Sequence, residues 1–410
     1  MKNKSTIKFK ETEIGSIPEE WKIVTLGESV EIVDGDRGTN YPNGSDFSND
    51  GYCLFLNAKN VCGNGFDFSD LQFITEEKDN ILRKGKLKRG DFVLTTRGTV
   101  GNIAFYNDSV PFDNLRINSG MVILRNREEF DSRFLFQLLK SKQIKQQIVE
   151  LTTGSAQPQL PIKDLKNLKL IKPPIAEQKK IAEILFSMDE KIGLNIKMDL
   201  NLEALTNLIF KKWFIDSDNL SKDSTPGTFR DVVSEINIRI KNELKDVCVL
   251  SAVSSGNLIR SEDFFTKQVF SKNLEKYKKV EKFDFAYNPS RINIGSIGML
   301  EEDIVGAVSP IYVVFRPKKE YHFFVQYSVK LGYIKNYIEK FSSGSVRQAL
   351  NFDDFSSIPI NIPPIELVRK FNIFITDMKA VRNKITKENE ALTNMYDSIL
   401  PRLLSGKIQV

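Results

Sequence analysis

Pro173-Pro174 and Pro363-Pro364 stand 190 residues apart, and each pair precedes a helical-looking stretch, PPIAEQKKIAEIL at 173–185 and PPIELVRKFNIFI at 363–375. Consecutive prolines lock φ and remove two backbone donors, so a helix can begin just after them but cannot run through them. Each doublet is therefore a hard boundary with a long helix on its far side. A chain of 410 residues is too long for one core, so two or more domains are expected around these boundaries.

The doublet belongs to a larger internal repeat. At the same 190-residue offset Gly154-Ser155 meets Gly344-Ser345, Leu160 meets Leu350, Asp164 meets Asp354, Lys180 meets Lys370 and Met188 meets Met378. Upstream, Ser119 meets Ser309. The simplest account is two insertion-free halves. In the first, DFVLTT (91–96), NIAFYN (102–107) and GMVILR (120–125) read as strands, followed by a helix over 131–150. In the second, FDFAYN (283–288), IGSIGML (294–300) and SPIYVVF (309–315) precede a helix near 320–341. The expected fold class is α+β: two pseudo-repeated mixed α/β domains separated by two long antiparallel coiled-coil helices.

One heptad phase fits both helical stretches. It puts Ile181, Met188, Asn195, Leu202 and Ile209 at a, with Ile184, Lys191, Met198, Leu205 and Lys212 at d. The second series is Phe371, Met378, Ile385, Leu392 and Ile399 at a, with Phe374, Val381 and Met395 at d. A polar Asn at a single a position is a register device of coiled coils. The alternative is two amphipathic helices, each packed on its own domain. A helix of ~40 residues rises about 60 Å. Packed antiparallel, such a pair would hold two similar domains apart, which suits two half-sites on duplex DNA.

Composition removes several function classes. Net charge is +6, which permits a polyanionic partner without announcing one. No apolar run approaches the ~18–20 residues of a membrane span, and the polar start MKNKSTIKFKETE lacks a signal-peptide core. Three cysteines without a CxxC pair suit a reducing cytoplasm, and with His322 as the one histidine no zinc site is expected. There is no GxxxxGK[ST], no GxGxxG ahead of a helix and no GxSxG. AYNPSR (286–291) lacks the second proline and aromatic of an amino-methyltransferase site, and no Pro-Asp dipeptide exists for a nuclease site. The chain reads as a binder without a catalytic centre.

Candidate DNA contacts follow from residue type and loop setting. Arg37, Asn40 and Tyr41 lie in VDGDRGTNYPNG, where an Arg can meet a guanine edge and an Asn an adenine. Thr96 and Arg97 lie in TTRGTVGN, where small neighbours let backbone approach phosphate. Arg116, Asn118 and Gln157 join them in the first half, and Arg291, Asn293 and Arg347 in the second. RKGKLKR (83–89) would supply sequence-blind phosphate attraction or a solvated face.

IGSIPEEWKIVTLGESV, the PPIAEQKKIAEIL helix start, NLIFKKWF and the terminal LLSGKI together resemble the specificity subunit of type I restriction-modification enzymes, over essentially the whole chain. The resemblance implies two target recognition domains, 1–172 and 217–362, each reading one half of a bipartite asymmetric site in double-stranded DNA. It implies spacer helices at 173–216 and 363–410. It further implies two methyltransferase subunits carrying S-adenosylmethionine, ATP-dependent restriction subunits, no cofactor in this chain and a cytoplasmic location. Glu177, Gln178 and Trp213, with the helix positions Ile181, Met188, Asn195, Leu202, Phe371, Met378, Ile385 and Leu392, are the corresponding partner-binding and spacer candidates. The second helix departs from the pattern, with Leu367-Val368 where the first has Glu177-Gln178. A fused methyltransferase-nuclease would need several hundred further residues. A scaffold that does not touch DNA would lack salt-dependent DNA affinity.

Overall fold

Along the strand Met121–Asn126, Val122 and Leu124 turn to one face of a sheet while Met121 and Ile123 turn to the other, and all four are buried. Period-two alternation normally separates core from solvent, so burial on both faces means that this sheet is the middle of three layers. The structure, a computed structural model, describes residues 8–63, 65–154, 157–216, 224–240, 247–253, 255–264, 274–318, 320–342 and 349–410. It contains two units, residues 1–195 with 388–410 and residues 196–387.

In the first unit, β1 (Val30–Asp34), β2 (Phe92–Thr95), β3 (Ile103–Phe105) and β4 (Met121–Asn126) form an antiparallel sheet of order β1-β4-β2-β3. Phe92, Leu94, Val122 and Leu124 pack on a helical layer that includes Phe134, Leu138 and Ile148. Val93, Met121 and Ile123 pack on the opposite layer, with Leu54, Leu115 and Ile117. There Leu115–Ile117 pairs parallel with Cys53–Leu56. The expected helix over 131–150 is two helices, Ser132–Lys140 and Lys142–Leu151, because Ser141 leaves the helical conformation and its side chain caps the second.

The second unit repeats this plan. Its strands β5 (Val233–Glu235), β6 (Phe285–Tyr287), β7 (Ile297–Met299) and β8 (Val313–Pro317) take the order β5-β8-β6-β7, and Cys248–Ala252 pairs parallel with Gly306–Val308. Here too the expected helix near 320–341 is two, His322–Ser328 and Gly332–Ser342. The equivalent hydrogen bonds show where the halves differ in length. Leu26 N donates to Leu168 O and Phe229 N to Ile358 O, whereas Leu160 N donates to Thr96 O and Leu350 N to Pro289 O. The offset is thus 203 residues near the start of each half, 193 at the second strand and 190 from the paired helices onward, where Leu135 N donates to Asp131 O and Val325 N to Tyr321 O. The expectation of insertion-free halves is corrected: loops between Leu26 and Leu160 make the first half longer, while ladders and helices keep their register.

After each Pro-Pro a 40-residue helix runs, α1 (Ile175–Phe214) and α2 (Ile365–Leu404). A buried or half-buried seam runs along α1 through 181, 185, 188, 192, 195, 199, 202, 206, 209 and 213, and along α2 through 371, 375, 378, 382, 385, 389, 392, 396, 399 and 403. The expected a series is inward throughout, but its partner lies four residues on instead of three. Of the expected d positions, Ile184, Lys191, Met198, Leu205, Lys212, Val381 and Met395 are all exposed, and Phe374 is half-buried. Within the first unit, Asn195 Nδ2 donates to Glu388 Oε2 (2.8 Å) and Asn389 Oδ1 (2.9 Å), so the buried Asn has specific partners. Within the second, the Arg382 guanidinium bonds both oxygens of Asp199, at 2.7 and 2.9 Å. Partner numbers fall on one helix as they rise on the other in each unit, so the segments are antiparallel.

His322 stacks on Phe283 with ring centroids 4.0 Å apart. Burial pushes its imidazole down to about 4, with Lys379 lowering it and Glu320 and Glu301 opposing. The unfolded chain takes up this proton near pH 6.5 and the folded chain only near 4, so the stability that neutral His322 supplies is present above pH 6.5 and is lost as pH falls toward 4. His322→Phe should flatten the melting temperature over that window relative to the parent. An unchanged slope would show that the imidazole is not the titrating group.

Candidate nucleic-acid interface

Three segments leave the same end of the first sheet: the stretch after β1, the hairpin between β2 and β3, and the turn that enters β4. Thr96 N and Arg97 N both donate to Gly120 O, at 2.9 and 3.2 Å, and Gly120 N donates to Asn118 Oδ1 at 2.9 Å. Arg37 Nη2 reaches Ser119 O at 3.4 Å and Asp34 Oδ1 at 3.2 Å. Thr153 and Gln159 exchange backbone bonds of 2.9 Å, and Arg97 bridges to Gln159, which carries the Gln157 loop to the same end. The geometry therefore gathers Arg37, Arg97, Asn118 and Gln157. Arg97 and Gln157 are exposed, and Arg97 has no ion pair among the described residues.

Four candidates stand elsewhere or face inward. Asn40 is exposed, while Tyr41 lies edge-on against Phe55 at 5.8 Å. Thr96 is 5% exposed and its hydroxyl donates to Gly120 O at 3.1 Å, so it builds the turn. Arg116 is a correction. It is 3% exposed, and its guanidinium donates to Asp79 Oδ1 (2.7 Å), Asp79 O (2.9 Å) and Lys84 O (2.5 Å). Three of its five N–H donors are taken inside the domain, and its burial keeps the guanidinium from reaching a base edge. Burial alone would raise the Asp79 carboxyl, and bonds from Lys86 and Arg116 outweigh it and hold it below the usual range. The basic run is likewise partly committed. Lys86 pairs with Asp79, and Arg89 donates to the carbonyls of Asn107, Val110 and Phe112.

In the second unit the matching hairpin, 288–296, joins β6 to β7 and exposes Arg291 and Asn293. Leu350 N donates to Pro289 O at 3.1 Å, the same bond that Leu160 makes to Thr96. Arg347 lies outside the described residues.

The helix-start candidates make bonds within the chain. Trp21, fully buried, donates its indole N–H to Glu177 Oε2 at 2.9 Å. Gln178, 1% exposed, accepts from Asp131 N at 3.0 Å and donates to Pro173 O at 2.8 Å. Both side chains join α1 to the domain in front of it. In the second helix Val368 is simply buried in the apolar core. Trp213 packs on Phe371 and Phe374 at 6.2 and 6.3 Å between ring centroids. The contacts of Glu177 with Trp21, and of Gln137 with Asp189 and Tyr396, carried no local sequence signal, because their partners lie 52 or more residues away. On α1 the outward Met198, Leu205 and Leu208 leave an apolar stripe open in the second unit. No described helix is long and apolar enough to cross a membrane, and no group of His, Cys, Asp and Glu among the described residues could hold a metal ion.

The profile of a family described as "Type I restriction modification DNA specificity domain" matches residues 18–204. The chain is 23% identical to the type I restriction enzyme MjaIX specificity subunit of Methanocaldococcus jannaschii, across 98% of this chain and 96% of that one. It is 32% identical over 125 residues to the C-terminus of a Mycoplasma pneumoniae type I specificity subunit, across 29% of this chain and 79% of the relative. Among solved structures, the type I S subunit of M. genitalium superposes with a TM-score of 0.60 at 18% identity, over 97% of this chain and 99% of that one.

Because Arg116 and Asp79 are a buried pair, Arg116→Ala should cost up to roughly 3 kcal/mol of stability by leaving the carboxylate with Lys86 as its remaining charged partner. Denaturant unfolding reads this. A stable variant with altered base preference would return Arg116 to the interface.

Proposed function

The chain belongs to the type I restriction-modification DNA specificity family, and from that premise we propose that it reads a bipartite, asymmetric DNA site, one half per unit. The observation that carries this reading is the recurrence, in both units, of one strand order ending in a hairpin with an exposed arginine, Arg97 on 96–101 and Arg291 on 288–296. An Arg held at a turn tip and left without an acidic partner suits bidentate contact to guanine O6 and N7, or charge contact to phosphate. The surrounding backbone holds the tip through its own hydrogen bonds, so the side chain is positioned before DNA arrives.

In this reading the subunit is not itself catalytic. Methylation and cleavage belong to partners: two methyltransferase subunits with S-adenosylmethionine, and ATP-dependent restriction subunits, all in the cytoplasm. The apolar stripe of Met198, Leu205 and Leu208 supports a partner-facing role for α1, since exposed apolar side chains at helical spacing favour a docked protein. The helices set the spacer between the half-sites.

Mapping methylated adenine in cells with and without this chain should lose one bipartite motif on deletion. Arg97→Ala should relax one half-site by roughly 1–3 kcal/mol per contacted guanine and leave the other half unchanged. Equal weakening on unrelated sequences would reduce Arg97 to a phosphate contact. Deleting one heptad from both long helices, about 10 Å, should shorten the spacer by roughly three base pairs at 3.4 Å per pair with both half-sites retained. An unchanged spacer would refute the ruler. DNA binding indifferent to salt would favour a protein scaffold instead.

A further inference from the structure

The reading end of the second unit differs chemically from that of the first. In the first unit the corresponding segments carry Arg97, Thr99, Asn118 and Ser119. In the second, Ile294 on the hairpin is 70% exposed, and Ile311, on the turn entering β8, is 63% exposed. The register Tyr287↔Val313 and Tyr287↔Ile297 makes both segments leave the same end of the sheet.

Nothing in the folding of this hairpin calls for an isoleucine at 294. The tip is closed by its own backbone: Asn288 N donates to Ser296 O (3.0 Å), Arg291 N to Asn288 O (3.0 Å), Ile294 N and Ser296 N to Arg291 O (3.1 Å each), and Gly295 N to Ile292 O (3.0 Å). Gly295, at φ 88°, supplies the left-handed residue that ends the turn. Ile292, 3% exposed, anchors the tip in the core beside Ile334 and Ile338. Ile294 thus stands outward on a rigid tip between Asn293 and Gly295, three residues from Arg291.

An aliphatic side chain cannot hydrogen-bond a base edge. The one apolar group on the major-groove edges of DNA is the 5-methyl of thymine. We propose that Ile294 is a specificity-determining residue that reads a thymine through this methyl group, with Arg291 and Asn293 holding the tip in the groove. This rests on the reading of the chain as a DNA-specificity subunit, and it assigns the second unit an apolar element of recognition where the corresponding first-unit segments carry Arg97, Thr99, Asn118 and Ser119.

Removing one methyl from the DNA isolates the contact. The methyltransferase complex assembled on the full chain is titrated against duplexes bearing its mapped site, with each thymine replaced in turn by deoxyuridine, which keeps every hydrogen-bonding group. One position should weaken by about 3- to 10-fold, the scale of one buried methyl group. Ile294→Ala should weaken the thymine duplex by a similar factor and bind thymine and deoxyuridine there equally. Ile294→Val, which keeps a branched contact, should retain most of the discrimination and guards against a folding defect in the alanine variant. Discrimination that persists in Ile294→Ala, or no thymine sensitive to the exchange, overturns the proposal, as does an Ile294→Ala loss that is equal on both duplexes, the mark of a wedge between base steps. Absence of any sequence-specific binding by the parent complex would instead defeat the underlying functional reading.

Discussion

A single carboxylate at the head of the second strand fixes the geometry of each half. Asp91, 1% exposed, accepts from Lys88 N at 2.7 Å and takes two bonds from the Arg125 guanidinium at 2.9 and 2.8 Å. Asp284, fully buried, accepts from Glu281 N at 2.8 Å and takes two bonds from Arg316 at 2.6 and 2.8 Å. The carboxylate closes the turn before the strand and ties it to the neighbouring strand in one register. Bonds to Asp91 and to Asp284 raise the guanidinium affinity for its proton in both arginines. A slip by one residue would turn Phe92 and Leu94 out of one core and Val93 out of the other. Because the strand ends follow from its start, the pair also decides where the hairpin that carries Arg97 or Arg291 emerges.

The repeat was legible wherever the two halves have equal length. From the helices that open at Ser132 and His322 through the long helices no residue is gained or lost, and the 190-residue offset is visible in the letters. Ahead of that point the same hydrogen bonds survive across offsets of 193 and 203. A fixed offset cannot see them, because ladders tolerate no slip while loops tolerate added residues freely. The breaks at Ser141 and after Ser328 were hidden for a related reason. Hydrophobic period continues across a one-turn interruption, and only the cap geometry reveals it.

The helix seam misled in a more instructive way. Ile184, Met198 and Leu205 are apolar and exposed, while Asp199, Thr206, Arg382 and Asn389 are polar and inward. Hydrophobicity therefore votes for the wrong companion of the a series. The polar seam residues are tolerated because they satisfy one another, Arg382 with Asp199 and Asn195 with Asn389, and a pair split across about 180 residues cannot be recognised from one helix alone. The same limit explains Arg116 and Glu177. Both are charged side chains at unremarkable positions, and their interior partners, Asp79 and Trp21, are distant in the chain. Arg97 and Arg291 are exposed, and each lies among turn residues without an ion pair among the described residues.

What remains free to vary is what the sheet does not need. Asp91 and Asp284 are bound on several sides, and any other residue there would leave a half-buried guanidinium without its carboxylate or a strand loose. The hairpin tips close on their own main chain, so residues 97 and 294 can differ without cost to the ladder beneath them. One sheet plan can therefore present a polar reading end in one unit and a partly apolar one in the other. The two tips differ where the proposed function needs them to differ, and the stability of the chain follows from the parts that the tips leave untouched.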